Sequence, residues 1–493
     1  MPHPLLYEIN TRCWLRSLSV EQGRAVTLAD VPDTEFDRWQ KLGFTHIWAM
    51  GVWTTGPRSR AHALDDAGMR QTFAKLLPDW RPDDTPGSPY AIADYRVPAS
   101  LGGESGLAAF RKRLNARGLK LLLDFVPNHF GLDHPWITEK PELFMLSPAE
   151  VAGTFPQQTV SGLRWLAHGK DPNFAPWADT VQINYRRPET RAAKITLLQT
   201  IAARCDGVRC DMAMLMLNDV FARTWAHIPE QVSPPTSEFW AEAIPAVKKT
   251  SPDFLFLAEV YWGLEARLQS LGFDYTYNKM VFDSLRDGRS TSLQESLLAA
   301  PRAQLEAGAH FLENHDERRI ASVLSPAEHR AAALLMLGLP GMRFLYEGQL
   351  QGRQLQIPVQ LGRWPDEPVN PEILAMYEQL LVTLKDTAVG RGEVNLLQPI
   401  GWPDNHTAPN FVIIHWQESP SKFDLVVVNL APHPSQCRVQ LPVKQLAAHD
   451  WLMRNLLGAE NYRHSGAELA ASGLHLDVPA HAAQLFQFTK TNP

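Results

Sequence analysis

The chain has 493 residues and a formal net charge of -6, with 45% hydrophobic and 20% charged residues. This composition is typical of a globular protein, because a disordered chain would be less apolar and a membrane protein more so. The net charge gives no electrostatic reason to expect nucleic acid or anionic lipid as a partner. The length exceeds that of one ordinary domain, so we expect a large core domain with one or two smaller attachments.

The first segment, MPHPLLYEINTRCWL, lacks the basic stretch and apolar run of a signal peptide. No stretch of the sequence reaches the roughly 20 apolar residues needed to span a bilayer. The sequence therefore predicts a cytoplasmic protein with no membrane partner. The four cysteines (Cys13, Cys205, Cys210 and Cys437) have neither CxxC spacing nor disulfide-framework density, so we expect reduced, buried thiols. The oligomeric state is not readable from the sequence.

Short apolar runs alternate with amphipathic helical segments from about residue 5 to residue 350, a pattern typical of parallel sheets built from βαβ units. The predicted strands, in chain order, are LLYEI, THIWAM, LKLLLDFV, DGVRCDM, FLFLAEV, FDYTY, AHFLENHD and MRFLYEG. Eight such strands indicate a closed (β/α)8 barrel of the α/β class. Helix signals stand between them, such as Ser325, Pro326 and Glu328, which have the spacing of a capping box with proline at the first helical position.

Two stretches interrupt this alternation. Residues 54–103 are rich in proline and glycine, and residues 130–183 form an insertion rich in tryptophan and phenylalanine after the third strand. Insertions at the carboxyl ends of barrel strands build the cleft above the barrel. Near the C-terminus, NFVIIHW, FDLVVVNL, CRVQLP and QLFQFT predict strands separated by turns. We therefore predict a barrel formed by residues 1–129 and 184–390, an inserted subdomain at 130–183, and an antiparallel β-sandwich at 391–493.

Ionisable or polar residues follow four of the predicted strands. They are Asp124 with Asn128 and His129, Arg209 with Asp211, Glu259, and Asn314 with His315 and Asp316. A single carboxylate at a strand end is more often a cap or a turn former, but four strand ends of a parallel barrel converge on one face. Three acids in one pocket supply the nucleophile, the proton donor and the negative charge that cleavage of a glycosidic bond requires.

The positions of these residues predict which of the acids is ionised and which is protonated. Arg209 precedes Asp211 by two residues, so the two side chains point the same way on an extended strand. The guanidinium is expected to keep Asp211 ionised and oriented. Glu259 should be protonated rather than ionised, because a general acid has to hold its proton at neutral pH. Burial beside other carboxylates is expected to raise the pKa of Glu259 accordingly.

The motifs DFVPNH, GVRCD, AEV and ENHD stand in the order of the four short sequence blocks of the α-amylase family, glycoside hydrolase family 13. The chain resembles an atypical member of that family over about residues 5–390, and the predicted sandwich resembles its usual C-terminal domain. The resemblance implies that Asp211 is the nucleophile, Glu259 the general acid/base and Asp316 the transition-state stabiliser. It further implies a set of substrate-binding residues: Arg209, His129, His315 and Tyr90. A retaining mechanism on α-linked oligosaccharides or glucans follows.

The sequence departs from the family pattern at the position where many α-amylases bind calcium. Asn128 keeps one ligand position, but the other two hold Gln182 and Leu215. An amide and an aliphatic side chain leave too little oxygen charge for this cation, so we expect no metal and no other cofactor. The segment MAMLM after Asp211 also lacks the Lys-His pair that contacts the leaving-group side in typical α-amylases. This absence argues against ordinary starch hydrolysis.

Three functions remain open from the sequence alone. The first is an α-glucan or α-glucoside hydrolase, and the second is a transglycosylase, isomerase or phosphorylase with the same acids, since ENHDERR resembles maltosyltransferase-like members. The third is an inactive barrel that binds carbohydrate or another protein, against which the complete acid triad stands. Glu347, after the eighth strand, could line the pocket or close the barrel. Glu313 is expected to point away from the cleft.

Overall fold

The computed structural model of the protein describes residues 2–228, 232 and 234–491. Eight parallel strands form a closed barrel, in which each strand pairs with its neighbours in sequence and the first pairs with the last. The strands are Leu5–Asn10, His46–Met50, Lys120–Phe125, Gly207–Cys210, Leu255–Ala258, Tyr275–Asn278, Gly308–Phe311 and Met342–Tyr346. Each lies within or overlaps one of the eight predicted strands, so the predicted α/β barrel is confirmed.

The barrel interior is a packed apolar core, because every second side chain of a barrel strand points inward. The inward residues form one buried cluster: Leu6, Trp48, Met50, Leu122, Leu257, Tyr277, Ala309, Phe311, Met342 and Phe344. Two residues beyond Leu6, Leu122 and Leu257, the inward positions become Glu8, Asp124 and Glu259. The barrel core thus changes into a layer of acids at the carboxyl ends of the strands.

Helices connect the strands on the outside of the barrel. In chain order they are Thr11–Gln22, Asp33–Lys41, Gly103–Asn115, Pro188–Ala202, Asn218–Thr224, Phe239–Lys248, Glu265–Ser270, Met280–Arg286, Ser290–Ala299, Arg302–Glu306 and Pro326–Gly338, and Pro371–Leu384 follows the last strand. The predicted capping box is present, because the Ser325 hydroxyl accepts from the Glu328 amide while the Glu328 carboxylate accepts from the Ser325 amide. The predicted start of that helix is therefore correct.

Two segments build on the carboxyl face of the barrel. The excursion after the second strand contains an antiparallel pair, Thr54–Thr55 with Ile92–Asp94, and the helices Pro57–Asp65 and Ala67–Leu76. The insertion after the third strand contains a second antiparallel pair and a three-stranded sheet: His129–Gly131 with Thr180–Gln182, and Leu146–Ser147, Thr154–Thr159 and Gly162–Ala167. Both segments stand beside the layer of acids, as expected for insertions at this end of a barrel.

The C-terminal part is an antiparallel β-sandwich. Its larger sheet contains six strands and its smaller sheet two: Glu393–Leu397, Phe411–Ser419, Lys422–Asn429, Ala483–Thr491, Asp450–Asn455 and Asn461–Ser465, and then Ser435–Val439 with Leu474–Val478. Buried side chains of both sheets, among them Phe423, Trp451 and Cys437, form one cluster between them. The sandwich predicted from sequence is confirmed, although four of its strands and the helix Gly466–Ser472 were not predicted.

Two further predictions concern membrane-spanning segments and the state of the cysteines, and the described residues can be compared with both. None of the helices in this part of the chain combines the length and the apolar composition needed to cross a bilayer. Cys13, Cys205, Cys210 and Cys437 are all buried free thiols, in agreement with the sequence prediction.

Candidate active site

The fourth strand places a cation between two of the predicted catalytic acids. Arg209 is fully buried, and its Nη1 lies 2.6 Å from Asp211 Oδ1 while its Nη2 lies 2.8 Å from Glu259 Oε2. Its Nε donates to the Tyr277 hydroxyl at 3.2 Å. One planar guanidinium therefore holds carboxylates from the ends of two adjacent strands, with the fork geometry that arginine provides and lysine does not.

Glu259 is held by three donors. Besides Arg209, the backbone N–H of Met212 donates to its Oε2 at 2.6 Å, and the Tyr261 hydroxyl donates to its Oε1 at 2.9 Å. Burial raises the pKa of Glu259 to about 7, and the nearby carboxylates act in the same direction while Arg209 opposes them. The expected elevation of this pKa from burial is therefore present. A carboxyl group with this pKa exchanges its proton near neutral pH.

The pKa of Asp211 differs in part from the prediction. Arg209 lowers its pKa by charge and by hydrogen bonding, as the spacing predicted. Burial is the larger effect, however, and together with the charges of Asp316 and Asp124 it leaves the pKa of Asp211 above its ordinary value. The expectation from Arg209 alone omitted the cost of removing the carboxylate from water.

The loop after the seventh strand places His315 and Asp316 beside Tyr90. His315 Nε2 lies 2.7 Å from the Tyr90 hydroxyl and 3.0 Å from Asp316 Oδ2, and the two rings are stacked. The Asp316 side chain is 46% exposed, so it can reach a ligand. Burial acts to raise its pKa, but the charge and hydrogen bond of His315 outweigh this effect and lower it. Asp316 is thus held as an anion.

His129 and Asp124, two further residues near the end of the third predicted strand, lie at the edges of the site. His129 is buried against Trp177, with ring centroids 5.2 Å apart, and it contacts the Tyr90 backbone. Burial lowers the pKa of His129 to about 3, so its ring is neutral. Asp124 accepts from the Trp48 indole at 3.0 Å and from the Gly51 amide at 2.8 Å. Through these contacts Asp124 braces the end of its strand against the second strand and the residue that follows it.

Glu313 and Glu347 form hydrogen bonds with residues other than the predicted catalytic acids. Glu313 accepts from Arg319 at 2.7 Å and from the Ile320 amide at 2.6 Å. Glu347 accepts from the Asn10 amide and the Trp364 indole. Both carboxylates therefore hold loops in place around the barrel mouth.

An open cavity of about 790 Å³ begins at the acids and extends over the fifth and sixth strands. Its wall includes Glu259, Asp316 and two exposed aromatic side chains, Phe174 (74% exposed) and Trp262 (42% exposed). The remaining charged residues of the wall are Asp171, Glu265, Lys279 and Asp283. Exposed apolar side chains in a concave site are typical of a ligand-binding groove.

The sequence prediction missed several residues of this site. Glu8 is fully buried, and its carboxylate contacts His315. Tyr261, Trp262 and Lys279 stand in the cavity wall. Tyr261 could have been found, since it follows Glu259 by two residues and an extended segment would place both on one side. Glu8 gave only a single acid in the strand LLYEI, and a single acid is weak evidence.

The residues at the family's calcium position do not fit a calcium ion. The Gln182 side-chain amide donates to Asn128 Oδ1 at 2.9 Å, so it points a hydrogen at the oxygen that a cation would need. Leu215 provides no oxygen. Among the described residues, no group of three or more His, Cys, Asp or Glu side chains is arranged to hold a metal.

A (β/α)8 barrel with three acids at the carboxyl ends of its strands is the architecture of a class of barrels that act on glycosides. A model of the alpha-amylase catalytic domain matches residues 35–363, about two thirds of the chain. The chain therefore belongs to the alpha-amylase family.

Individual relatives are distant. The alpha-amylase MalA of Haloarcula japonica is 26% identical over 308 residues, which are 60% of this chain and 41% of that protein. The alpha-1,4-glucan:maltose-1-phosphate maltosyltransferase of Rhodospirillum rubrum is 25% identical over 295 residues, 57% of this chain and 36% of that protein. The matched region thus spans about two fifths of the length of these curated relatives.

A solved structure covers the whole length of the fold. The maltogenic alpha-amylase AmyB from Thermotoga neapolitana superposes with a TM-score of 0.68 at 18% identity, over 99% of this chain and 98% of that one. At this identity the likeness supports the fold, both barrel and sandwich, and not the activity.

Replacement of Arg209 by leucine is expected to lower the free energy of unfolding by about 3–5 kcal/mol at about pH 8, because Asp211 and Glu259 lose their shared counter-ion. Without the cation, the pKa values of both carboxyls rise further above their unfolded values. Their destabilising effect then grows as the pH rises through this range, and the loss should be smaller at about pH 5.5. Urea unfolding at both pH values measures it. Arg209→Lys, which keeps a charge, should show a weaker pH dependence, and an equal loss of Arg209→Leu at both pH values would contradict the shared-cation account.

Proposed function

We propose that the protein is a retaining glycosidase that cleaves α-glucosidic bonds of oligosaccharides or α-glucans through a glycosyl-enzyme intermediate on Asp211. The observation that carries this proposal is the single Arg209 guanidinium that contacts both Asp211 and Glu259. Carboxylates bound to one guanidinium stand close together. This arrangement favours a retaining pair, about 5–5.5 Å apart, over an inverting pair, about 6.5–9.5 Å apart, which leaves room for water.

The proposed reaction has two steps. In the first, an Asp211 oxygen forms a bond to the anomeric carbon while the glycosidic bond breaks, and Glu259 gives its proton to the leaving oxygen. In the second, Glu259 takes a proton from the acceptor hydroxyl, whose oxygen displaces Asp211 from the sugar. The pKa of about 7 suits Glu259 to both roles, since it can hold and release a proton near neutral pH.

The other residues of the site bind the sugar at the cleaved bond. Asp316 is anionic and partly exposed, so it can accept hydrogen bonds from two sugar hydroxyls and oppose the positive charge of the transition state. Tyr90 offers an aromatic face beside His315, and the neutral His129 ring lies against its backbone. We assign Arg209, which is fully buried, to holding the two acids rather than to direct contact with the sugar.

The cavity beyond Glu259 is the proposed place of the leaving group and of the acceptor. Phe174 and Trp262 expose aromatic faces there, and the apolar face of a sugar ring packs on such surfaces. Trp262 holds a left-handed backbone conformation (φ 66°), which costs energy in a residue with a side chain. Strain of this kind is common where a residue is positioned for binding. We also propose that the protein works without calcium at the family position, since Gln182 occupies Asn128 Oδ1.

The second candidate function is transfer of the glycosyl unit to the hydroxyl of another sugar. The exposed pair Phe174 and Trp262 favours it, because a sugar bound on these rings competes with water for the intermediate. Transfer to phosphate is disfavoured by charge. Five carboxyl groups and one lysine, Lys279, line the cavity, and this lysine already pairs with Glu317. An anion entering this space would meet net repulsion.

Glu259→Gln is expected to lower kcat/KM for maltotriose by about 10²–10⁴-fold, since the leaving oxygen loses its proton donor. The loss should be much smaller with 4-nitrophenyl α-maltoside, because nitrophenolate leaves without protonation. Steady-state rates on both substrates measure the difference. Glu347→Gln is the matched control, since loss of hydration also raises the pKa of Glu347 to about 7 but this carboxylate contacts Asn10 and Trp364. Equal losses of Glu259→Gln on the two substrates would contradict the general-acid role.

Products formed from maltotriose should be the same with and without a high concentration of phosphate, because the acidic cavity wall repels this anion. Excess maltose or glucose should instead raise the yield of longer oligosaccharides if transfer accompanies hydrolysis. Chromatography of the products distinguishes these outcomes. Phosphate-dependent formation of a sugar 1-phosphate would overturn the choice of acceptor and leave the acid roles untouched.

A further inference from the structure

Glu8 lies at the carboxyl end of the first barrel strand, directly beneath the predicted sugar-binding residues. Its side chain is fully buried, and its Oε1 lies 2.5 Å from Nδ1 of His315, a residue 307 positions away in the sequence. Its second oxygen, Oε2, finds no hydrogen-bond partner among the described residues. A buried carboxylate with one unpartnered oxygen is costly, so its presence here requires a reason other than stability.

The contacts of the His315 ring fix where its protons lie. Nδ1 faces the Glu8 carboxylate, and a hydrogen bond of this length requires a proton between the two atoms. Nε2 faces Asp316 Oδ2 at 3.0 Å and the Tyr90 hydroxyl at 2.7 Å. A bare Nε2 lone pair would repel the Asp316 carboxylate. Both contacts with carboxylates are favourable only when Nε2 also carries a proton and donates it toward Asp316.

The wider surroundings of His315 act in the same direction. Burial lowers its pKa, but the negative charges and hydrogen bonds of Asp316 and Glu8 outweigh it and raise the pKa well above 6.5. Asp124 interacts with the same imidazole from the third strand. Two cations face Glu8, His315 and Asp316. Arg209 interacts with Glu8 and Asp316, although its own contacts are to Asp211 and Glu259, and Lys279 interacts with Asp316. Tyr90 and Trp48 contribute neutral ring contacts.

We infer that Glu8 is a positioning residue that keeps a proton on both nitrogens of His315, so that Nε2–H is presented to Asp316 and holds this carboxylate ready for sugar hydroxyls. The inference rests on the proposed function, because it takes Asp316 as the sugar-binding acid. Glu8 itself touches no substrate. It acts through one histidine, in the way that a carboxylate behind a catalytic or metal-binding histidine fixes the ring and its protons.

The test uses the Glu259→Gln variant, in which turnover is slow and the titration of Glu259 is removed from the measurement. Maltotriose affinity is measured by calorimetry from about pH 6 to about pH 9, with and without Glu8→Gln. The parent variant should keep its affinity over most of this range. Addition of Glu8→Gln should weaken binding by about ten- to hundred-fold as the pH rises, because His315 then loses its second proton and a charge-assisted hydrogen bond is lost.

Proton NMR gives an independent readout. A short hydrogen bond between Glu8 and His315 should produce a resonance far downfield of the backbone amides, absent from Glu8→Gln and from His315→Gln. Glu347→Gln is the control, because Glu347 is a half-buried carboxyl that directly follows the neighbouring eighth strand; this variant should keep both the resonance and the pH-independent affinity. A pH-independent loss of affinity in Glu8→Gln, an unchanged affinity, or a wild type without the resonance would overturn the inference.

The two proposals fail separately. Asp316→Asn should abolish turnover if Asp316 is the stabilising acid, whatever Glu8 does. If Asp316→Asn keeps full activity, the proposed function is wrong. If Asp316→Asn is inactive while Glu8→Gln behaves as Glu347→Gln does, only the role of Glu8 is wrong.

Discussion

The site depends on one buried cation shared by two acids. Two carboxyl groups taken out of water at the mouth of a closed barrel would repel each other and lose their hydration, and Arg209 is the cation within hydrogen-bond reach of both. Its fork sets the distance between Asp211 and Glu259 and contributes opposing charge to both. Burial then outweighs that charge at Glu259, whose pKa of about 7 is suited to proton transfer. A second group, formed by Glu8, His315 and Asp316, keeps its charge through a protonated imidazole.

The position of these groups follows from the periodicity of the strands. Side chains alternate along each strand, so the residues two positions beyond the apolar barrel layer must also point inward. Leu6, Leu122 and Leu257 close the core, and Glu8, Asp124 and Glu259 begin the site. The insertions add the cavity wall on this same face, with Phe174 from one side and Trp262 from the loop after the fifth strand on the other. A stable barrel core and a charged, adaptable cleft are thus consecutive layers of the same strands.

Much of this could be predicted from the sequence because the deciding signals are local. The eight strands are short apolar runs; Asp211 and Glu259 directly follow two of them, and Asp316 lies five residues after a third. Contacts between distant residues gave no such signal. The pairing of Glu8 with His315 depends on the first and seventh strands lying on either side of the eighth, and the strand Asn461–Ser465 is too polar to stand out. The raised pKa of Asp211 is not predictable from its spacing to Arg209, because burial is not visible before the fold is known.

Covalent attachment of the sugar to Asp211 is the decisive step of the proposed mechanism, and trapping the intermediate tests it most directly. A 5-fluoro-α-glucosyl fluoride should inactivate the protein with one sugar bound per chain, because the fluorine slows release of the intermediate more than its formation. Mass spectrometry of peptides from the inactivated protein should then find the fluoroglucosyl group on the peptide that contains Asp211. Attachment to another residue, or turnover of maltotriose without any adduct under trapping conditions, would contradict the account.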